Sequence, residues 1–271
     1  MSWTGRLRCT AVVKNGRTVI LDNYSEGALK LMRPVYLDPA HPTLYLVHVG
    51  GGYVDGDSYD MEIFLEPSAR LMVTTQSAAK IYKTPSTPVR QYTRLSLGEQ
   101  SVLEYFPDPT IAYEHARFYQ ETTVYITPSS TFVYGEIITP GWSESGELFR
   151  YDWIRSKLKV YQDEALVLFD HLYLDSRQHL TSMLQLGGYT HVGSFVALSP
   201  FITKEVLEQF NQFMEEMPKE VRCGFSAAAV PGFSVRILAY ETSAIEAIFQ
   251  RVQQFIRQQC GEKAPVCWRK Y

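Results

Sequence analysis

The residues best suited to chemistry in this chain are carboxylates, and the densest group of them sits beside glycines. From Gly50 the sequence reads Gly50-Gly51-Gly52-Tyr53-Val54-Asp55-Gly56-Asp57, followed by Ser58, Tyr59 and Asp60. Gly51, Gly52 and Gly56 let the backbone take positive φ and approach other groups closely, while Asp55, Asp57 and Asp60 bring three negative charges together. Such a loop suits a weak, oxygen-rich cation site or the mouth of an acidic channel, and it equally suits a glycine turn whose aspartates face water. Three tighter assignments fail on spacing. A phosphate cradle needs Gly-Lys-Ser/Thr at the positive end of a helix, and here carboxylates follow the glycines. A calcium loop opening at Asp55 would place Asp57 and Glu66 on ligand positions, but Asp60 occupies the turn position that requires glycine. A dinucleotide fingerprint must open a helix, whereas Met61-Glu62-Ile63-Phe64-Leu65-Glu66 alternates with period two and reads as a strand.

Other carboxylates lie in apolar runs. Glu104 follows Leu103 in a strand-like stretch, Glu114 precedes His115, and Glu136 sits in Tyr134-Gly135-Glu136-Ile137-Ile138. A carboxylate buried without a partner costs several kcal/mol, so each must meet an arginine, a hydrogen-bond donor, a cation or water. Lys80, Lys83, Arg90 and Arg94 are the nearest candidates for ion pairs. A nucleophile with its base is harder to find: there is no Gly-x-Ser-x-Gly elbow, and none of the four cysteines sits in a local catalytic signature. His-x-x-x-His spacing is absent, and His41, His48, His115 and His191 lie among strand residues, where hydrogen bonding is the commoner role. Paired carboxylates such as Asp55 with Asp57, or Glu104 with Asp108, leave open a carbohydrate-active enzyme, with eighteen tyrosines and four tryptophans available to stack on sugars.

The whole chain narrows these options. Its 271 residues can bury a substantial core, and a formal charge of −3 supplies no basic field to hold nucleic acid. Residues Met1 to Arg8 lack the apolar run of a signal peptide, and the longest stretch without Asp, Glu, Lys or Arg, Gln178 to Thr203, is too polar for a membrane span. A cytoplasmic location with reduced thiols at Cys9, Cys223, Cys260 and Cys267 is expected.

The elements that must position the carboxylates are mostly strands. From Leu7 to about Lys159, short runs rich in Val, Ile, Tyr, Phe and Thr are cut by turn signals: Asn15-Gly16, which marks a hairpin, then Glu66-Pro67-Ser68-Ala69, Ser96-Leu97-Gly98-Glu99 and Thr127-Pro128-Ser129-Ser130. With no helical period to supply crossovers, a mostly antiparallel β architecture is predicted. The last third changes character. Val206, Leu207, Phe210, Phe213, Met214 and Met217 form one helical face capped by Thr203, and Ile245, Ile248, Phe249, Val252, Phe255 and Ile256 form a second, opened by a Ser243-Ala244-Ile245-Glu246 capping box and stopped by Gly261. Between them, Pro231-Gly232 predicts a type II turn joining two strands. A strand over Thr190 to Leu198 precedes both helices. The prediction is one domain over 1–271, with a β-rich body over 1–185 and a β/α portion over 186–271 packed on it.

Four blocks carry a resemblance. Gly51-Gly52-Tyr53-Val54-Asp55-Gly56-Asp57, Thr74-Thr75-Gln76-Ser77-Ala78-Ala79-Lys80-Ile81-Tyr82-Lys83, Leu103-Glu104-Tyr105-Phe106-Pro107-Asp108-Pro109-Thr110-Ile111 and Gly141-Trp142-Ser143-Glu144-Ser145-Gly146-Glu147 resemble, in order and spacing, the urease accessory protein UreD family, also called UreH. Many members carry Arg where this chain has Trp142. The resemblance implies an irregular β-helical or layered body. It also implies a non-catalytic protein that binds apo-urease and the accessory protein UreF, which recruits the GTPase UreG, with no tightly bound cofactor and transient Ni²⁺ only. Weak oxygen ligands with retained water would hold Ni²⁺ loosely enough to hand it on. Asp55, Asp57 and Glu104, with Asp60 and Glu114 as neighbours, are the expected path. Trp142, Glu147, Trp268, Arg269 and Tyr271 are the expected partner contacts, because exposed aromatic and arginine side chains dominate interfaces.

Overall fold

The computed structural model describes residues 3–38 and 41–261. The chain opens with β1 (Gly5–Lys14) and β2 (Arg17–Gly27), an antiparallel hairpin turned by Asn15 and Gly16 at φ 52° and 74°. These are the left-handed conformations that an Asn-Gly turn favours. Short β3 (Leu29–Leu31) and β4 (Val35–Asp38) lead into β5 (His41–His48), after which the chain winds between two facing sheets. It passes through β6 (Ser58–Leu65), β7 (Arg70–Thr75), β8 (Ala79–Ile81), β9 (Val89–Leu97), β10 (Val102–Phe106), β11 (Thr110–Ala112), β12 (Arg117–Ile126), β13 (Thr131–Ile138) and β14 (Trp153–Gln162). Then come β15 (Ala165–Asp175), β16 (His191–Leu198), α1 (Lys204–Glu215), β17 (Arg222–Ala227), β18 (Gly232–Ala239) and α2 (Thr242–Gln259).

The first sheet runs β15-β14-β12-β9-β6-β1-β2, and the second runs β17-β18-β16-β13-β10-β7-β5-β3. Mostly strands, with two helices near the C-terminal end, the architecture is the β-helical, solenoid-like body that the resemblance implies. The strand pairing differs from the antiparallel prediction. Antiparallel ladders close the ends, at β1/β2, β14/β15, β13/β16, β16/β18 and β17/β18. The middle is parallel, through β1-β6-β9-β12-β14 in one sheet and β5-β7-β10-β13 in the other. The turns are the reason. Those at 66–69, 98–101 and 127–130 carry the chain across to the opposite sheet instead of reversing it within one, so strands one full winding apart pair in the same direction without a crossover helix. The turns stack on one another, Ser68 N donating to Glu99 O at 2.8 Å and Gly98 N to Leu65 O at 2.8 Å.

Period-two alternation then builds two cores. Leu7, Ile63, Leu95, Phe118, Leu103 and Phe132 are buried between the sheets, while Met72, Phe106, Val133, Ile137 and Phe195 point away from them and meet the helices. Every residue of β13 is buried because this strand lies between both layers. Thr203 caps α1, its hydroxyl accepting from Val206 N at 3.4 Å, and Phe210 stacks on Phe233 with centroids 4.0 Å apart. Ile245, Ile248, Phe249, Val252 and Ile256 seat α2, each worth about 1.5–3 kcal/mol when fully buried. Two local predictions are corrected. Helix α2 begins two residues earlier, with Glu241 as N-cap, and Ser243 Oγ donates to Glu241 Oε2 at 3.2 Å instead of capping the backbone. The β17/β18 hairpin forms, but its loop spans 228–231 and Gly232 starts the next strand at φ 153°, outside type II geometry. Among the described residues nothing packs over the outer face of the first sheet. Cys9, Cys223 and Cys260 are free thiols, and Cys267 lies outside the described residues.

Candidate functional site

Polar residues interrupt the inter-sheet core in one row. On the first sheet the register aligns Tyr59 with Gln91, Gln91 with Gln120 and Gln120 with Ser156, all at inward positions of β6, β9, β12 and β14. In parallel strands a shared register stacks equivalent positions side by side, so one polar position per rung becomes a polar stripe across the sheet. Facing it are His48, Tyr105 and Glu136 from the second sheet. Between them lies a cavity of about 220 Å³, lined by Gln91, Gln120, His48, Tyr105 and Glu136 together with Met61, Phe118, Asp108 and Gly50 to Tyr53, with Tyr59 and Ser156 bonded to lining residues at its two ends.

The glycine loop forms one wall of this cavity by close approach. Tyr53 N donates to Lys80 O at 2.8 Å and Tyr82 N to Tyr53 O at 2.9 Å, so the loop lies directly on the β8 backbone. A Cβ at Gly52, whose φ is +144°, would meet Lys80 O at 2.6 Å. Next to the loop, His48 Nε2 lies 3.0 Å from the Tyr59 hydroxyl, which itself donates to Asp57 Oδ2 at 2.8 Å. With the tyrosine proton committed to Asp57, the hydrogen between His48 and Tyr59 belongs on His48 Nε2. Desolvation lowers the His48 pKa, with the Asp57 charge opposing it, and burial raises that of Tyr59. The Tyr53 hydroxyl donates to Gln91 Oε1 at 3.1 Å.

At the deep end Glu136 is 6% exposed. Ser156 Oγ donates to it at 2.9 Å, Tyr134 OH at 3.1 Å and Gln120 Nε2 at 2.5 Å. Its hydrogen-bond donors are neutral, and burial raises its pKa, with Asp170 adding to the rise and Arg236 opposing it. Arg236 itself closes the far end of the inter-sheet space, donating to both Asp170 oxygens at 2.7 and 2.8 Å and so tying β18 to β15. The arrangement can bind water or a hydrated cation through oxygen, and it can take up or release a proton at Glu136.

The predicted residues are dispersed. Asp55 accepts backbone bonds from Thr87 N at 2.8 Å and Ser86 N at 2.9 Å, which hold its carboxyl below the usual range and pin the loop to the next turn. Asp57 accepts from Thr4 Oγ1 and Val54 N as well as Tyr59. Asp60 faces outward and pairs with Arg6 at 3.0 Å. Glu114 pairs with Arg150 at 3.0 Å near His115 on a loop. Glu104 lies on the helix side of the second sheet, away from the cavity, where Arg257 Nε donates to it at 2.9 Å. Burial would raise its pKa, but His41 and Arg257 together bring it below the usual range. Its partner is thus Arg257, not the lysines and arginines nearer in sequence. Of the five, Asp57 alone connects to the cavity wall, through Tyr59 to His48. Among the described residues no three His, Cys, Asp or Glu side chains converge on a metal position. Glu104 and Asp108 stand on opposite sides of a sheet and cannot act as an acid–base pair on one substrate. Gly51 and Gly52 line the cavity, whereas Gly56, at φ 80°, does not line it and donates its N–H to Thr87 O at 3.0 Å. Trp142 is 53% exposed and packs on Tyr113 at 4.9 Å, and Glu147 lies 3.5 Å from Arg150. Trp268, Arg269 and Tyr271 lie outside the described residues.

Gln91 and Gln120, which join Glu136 in this row, are the members that sequence reasoning misses. The available signal was polarity at a phase where the same strand carries Leu95, Phe118 or Val124.

Comparison with known proteins fits this architecture. The family model described as "UreD urease accessory protein" matches residues 4–269. A urease accessory protein UreD of Bacillus sp. (strain TB-90) is 49% identical over 271 residues, covering 100% of both chains. One from Lachnoclostridium phytofermentans is 38% identical, covering 100% of this chain and 99% of the relative, and one from Staphylococcus aureus (strain Newman) is 37% identical, covering 99% and 98%.

Proposed function

The chain belongs to the UreD family of urease accessory proteins, and on that premise we propose that it is a non-catalytic maturation factor. It binds apo-urease and UreF in the cytoplasm, with UreG recruited through UreF, and its inter-sheet cavity conducts Ni²⁺ toward the assembling urease centre. Family membership supports the role in urease maturation. The observation that carries the conducting role is Glu136, a buried carboxylate with neutral hydrogen-bond donors and a raised pKa at the deep end of a polar stripe. A divalent cation arriving there meets the Glu136 carboxyl group, while amide and hydroxyl oxygens along Gln91, Gln120 and Ser156 replace part of its water. Oxygen ligands of this kind hold Ni²⁺ weakly enough for onward release. Asp57 keeps a role at the entrance by orienting Tyr59 and His48. In this reading Asp55, Asp60, Glu104 and Glu114 serve the scaffold.

The test is co-expression with the host urease subunits and accessory proteins, with Glu136→Gln as the variant. Urease activation under limiting nickel should fall severalfold while co-purification with apo-urease or UreF persists. Full activation with Glu136→Gln refutes the conducting role, and failure of the unaltered chain to associate with either protein refutes the maturation role.

A further inference from the structure

The outer face of the first sheet carries a pattern that the cavity does not use. Strands β9, β12 and β14 alternate buried and solvent-accessible residues, and their outward positions hold Arg90, Arg94, Arg155, Lys157 and Lys159 around Glu121. Register sets cations and rings side by side: Arg90, Tyr119, Arg155 and Tyr173 form one row across four strands, and Tyr92, Glu121, Lys157 and His171 form the next. The Arg155 guanidinium lies 4.7 Å from the Tyr173 centroid and Lys157 Nζ lies 5.4 Å from that of Tyr119, so both cations rest on aromatic rings. This is a local segregation of charge, because the chain as a whole carries −3.

We propose that this face docks an acidic protein surface. Seven strands at ordinary spacing, each with about eight residues in register, span roughly 750 Å², close to the ~800 Å² per partner of a standard protein–protein interface. Tyr, Trp and Arg, the residue types that dominate interface energetics, supply most of its outward side chains on β9, β12 and β14. Cations already resting on rings lose little freedom on binding, and their field steers an anionic partner. Nucleic acid fits less well, since Arg94 and Lys159 are already paired with Glu62 and Glu121 and break the run of free cations that a phosphate backbone follows, whereas a protein partner can set donors against those two acids. A second copy fits less well too, since a two-fold contact would set like charges against like.

The choice of probes rests on the maturation reading: purified apo-urease and UreF of the host, each measured for binding to the full chain at low and high salt. With Arg90→Glu and Lys157→Glu together, affinity for one of the two should fall at least about tenfold at low salt, and the unaltered complex should weaken as salt rises. Lys204→Glu with Lys219→Glu, on the helix side, should change neither. Should the reversal impair folding, Arg90→Gln with Lys157→Gln gives the same reading with smaller loss. Unimpaired binding of both partners overturns the docking face and leaves the maturation role standing; no binding by the unaltered chain overturns both. Loss of retention on poly(U) RNA with protein binding intact, or a change of oligomeric state in sedimentation, overturns the proposal in favour of nucleic acid or a second copy.

Discussion

The assignment of Glu104 to the scaffold makes a quantitative prediction. Glu104 and Arg257 are 2% and 7% exposed, joined by two N–H···O bonds, and they fasten α2 to the second sheet. Removing one member leaves the other charged and buried, which typically costs about 3–5 kcal/mol. Arg257→Met should therefore destabilise the fold by about that amount, a fall of roughly 6–10 °C in melting temperature at about 2 °C per kcal/mol for a chain of this size. Replacing both, with Glu104→Leu and Arg257→Met, removes the unpaired charge and should recover most of the loss, because an apolar pair of similar volume often matches a buried ion pair. Thermal melting of both single variants and the double completes the cycle, and urease activation at a temperature where all are folded adds the functional arm. If Glu104 only anchors the helix, the double variant activates urease as well as the unaltered chain. An inactive but stably folded double variant would refute the anchoring argument and return Glu104 to the nickel path.

Three further outcomes follow from the same geometry. Because the folded-state pKa of Glu136 is raised, its protonated form favours the fold below the unfolded value near 4.5, and that contribution is lost as pH rises through the folded pKa. Relative to Glu136→Gln, the unaltered chain should lose stability from about pH 4.5 upward, read by denaturant titration across pH; a flat difference would refute the burial argument. Gly52→Ala should cost about 1–3 kcal/mol, because the new Cβ meets Lys80 O at 2.6 Å and the φ of +144° disfavours a side chain, whereas Gly146→Ala, with nothing within 4 Å, should cost less; comparison of the two melting curves checks it. Phe210→Ala removes a ring stacked on Phe233 and edge-packed on Phe225, and should cost about 3–5 kcal/mol by urea unfolding.

Much of the fold was legible wherever a signal is local. The Asn15-Gly16 hairpin, the Thr203 cap and both apolar helix faces depend on residues a few positions apart. Strand direction was not legible, because alternation with period two is the same in parallel and antiparallel sheets; what decides is whether a turn stays in the sheet or crosses to the opposite one. Nor was the side on which each acid falls. Glu104 and Glu136 sit in similarly apolar runs, but the second sheet is covered on both faces, so its strands carry no polar side to give the phase. Glu104 turns toward α2 and finds Arg257, 153 residues further on, while Glu136 turns inward. The family resemblance identified the β-helical body correctly, yet it could not say which carboxylates share a cavity.

The parallel pairing also accounts for the direction of that cavity. In a hairpin sheet, polar residues grouped along one strand would open a groove parallel to it. Here Tyr59, Gln91, Gln120 and Ser156 belong to four successive strands of the first sheet and meet through register, so the polar line runs perpendicular to the strands, along the axis about which the chain winds. At about 4.8 Å per strand that line is about 14 Å long. It begins at the glycine loop, where Asp57 orients Tyr59 and His48, and ends at Glu136, short of the Arg236–Asp170 closure. A passage built this way is interrupted by a single apolar substitution in any rung, such as Gln91→Leu, while each rung keeps its backbone ladder and its outward face. The conduction proposed along the axis and the docking proposed on the outer face of the first sheet are therefore separable by substitutions at neighbouring positions of the same strand, inward at Gln91 and outward at Arg90.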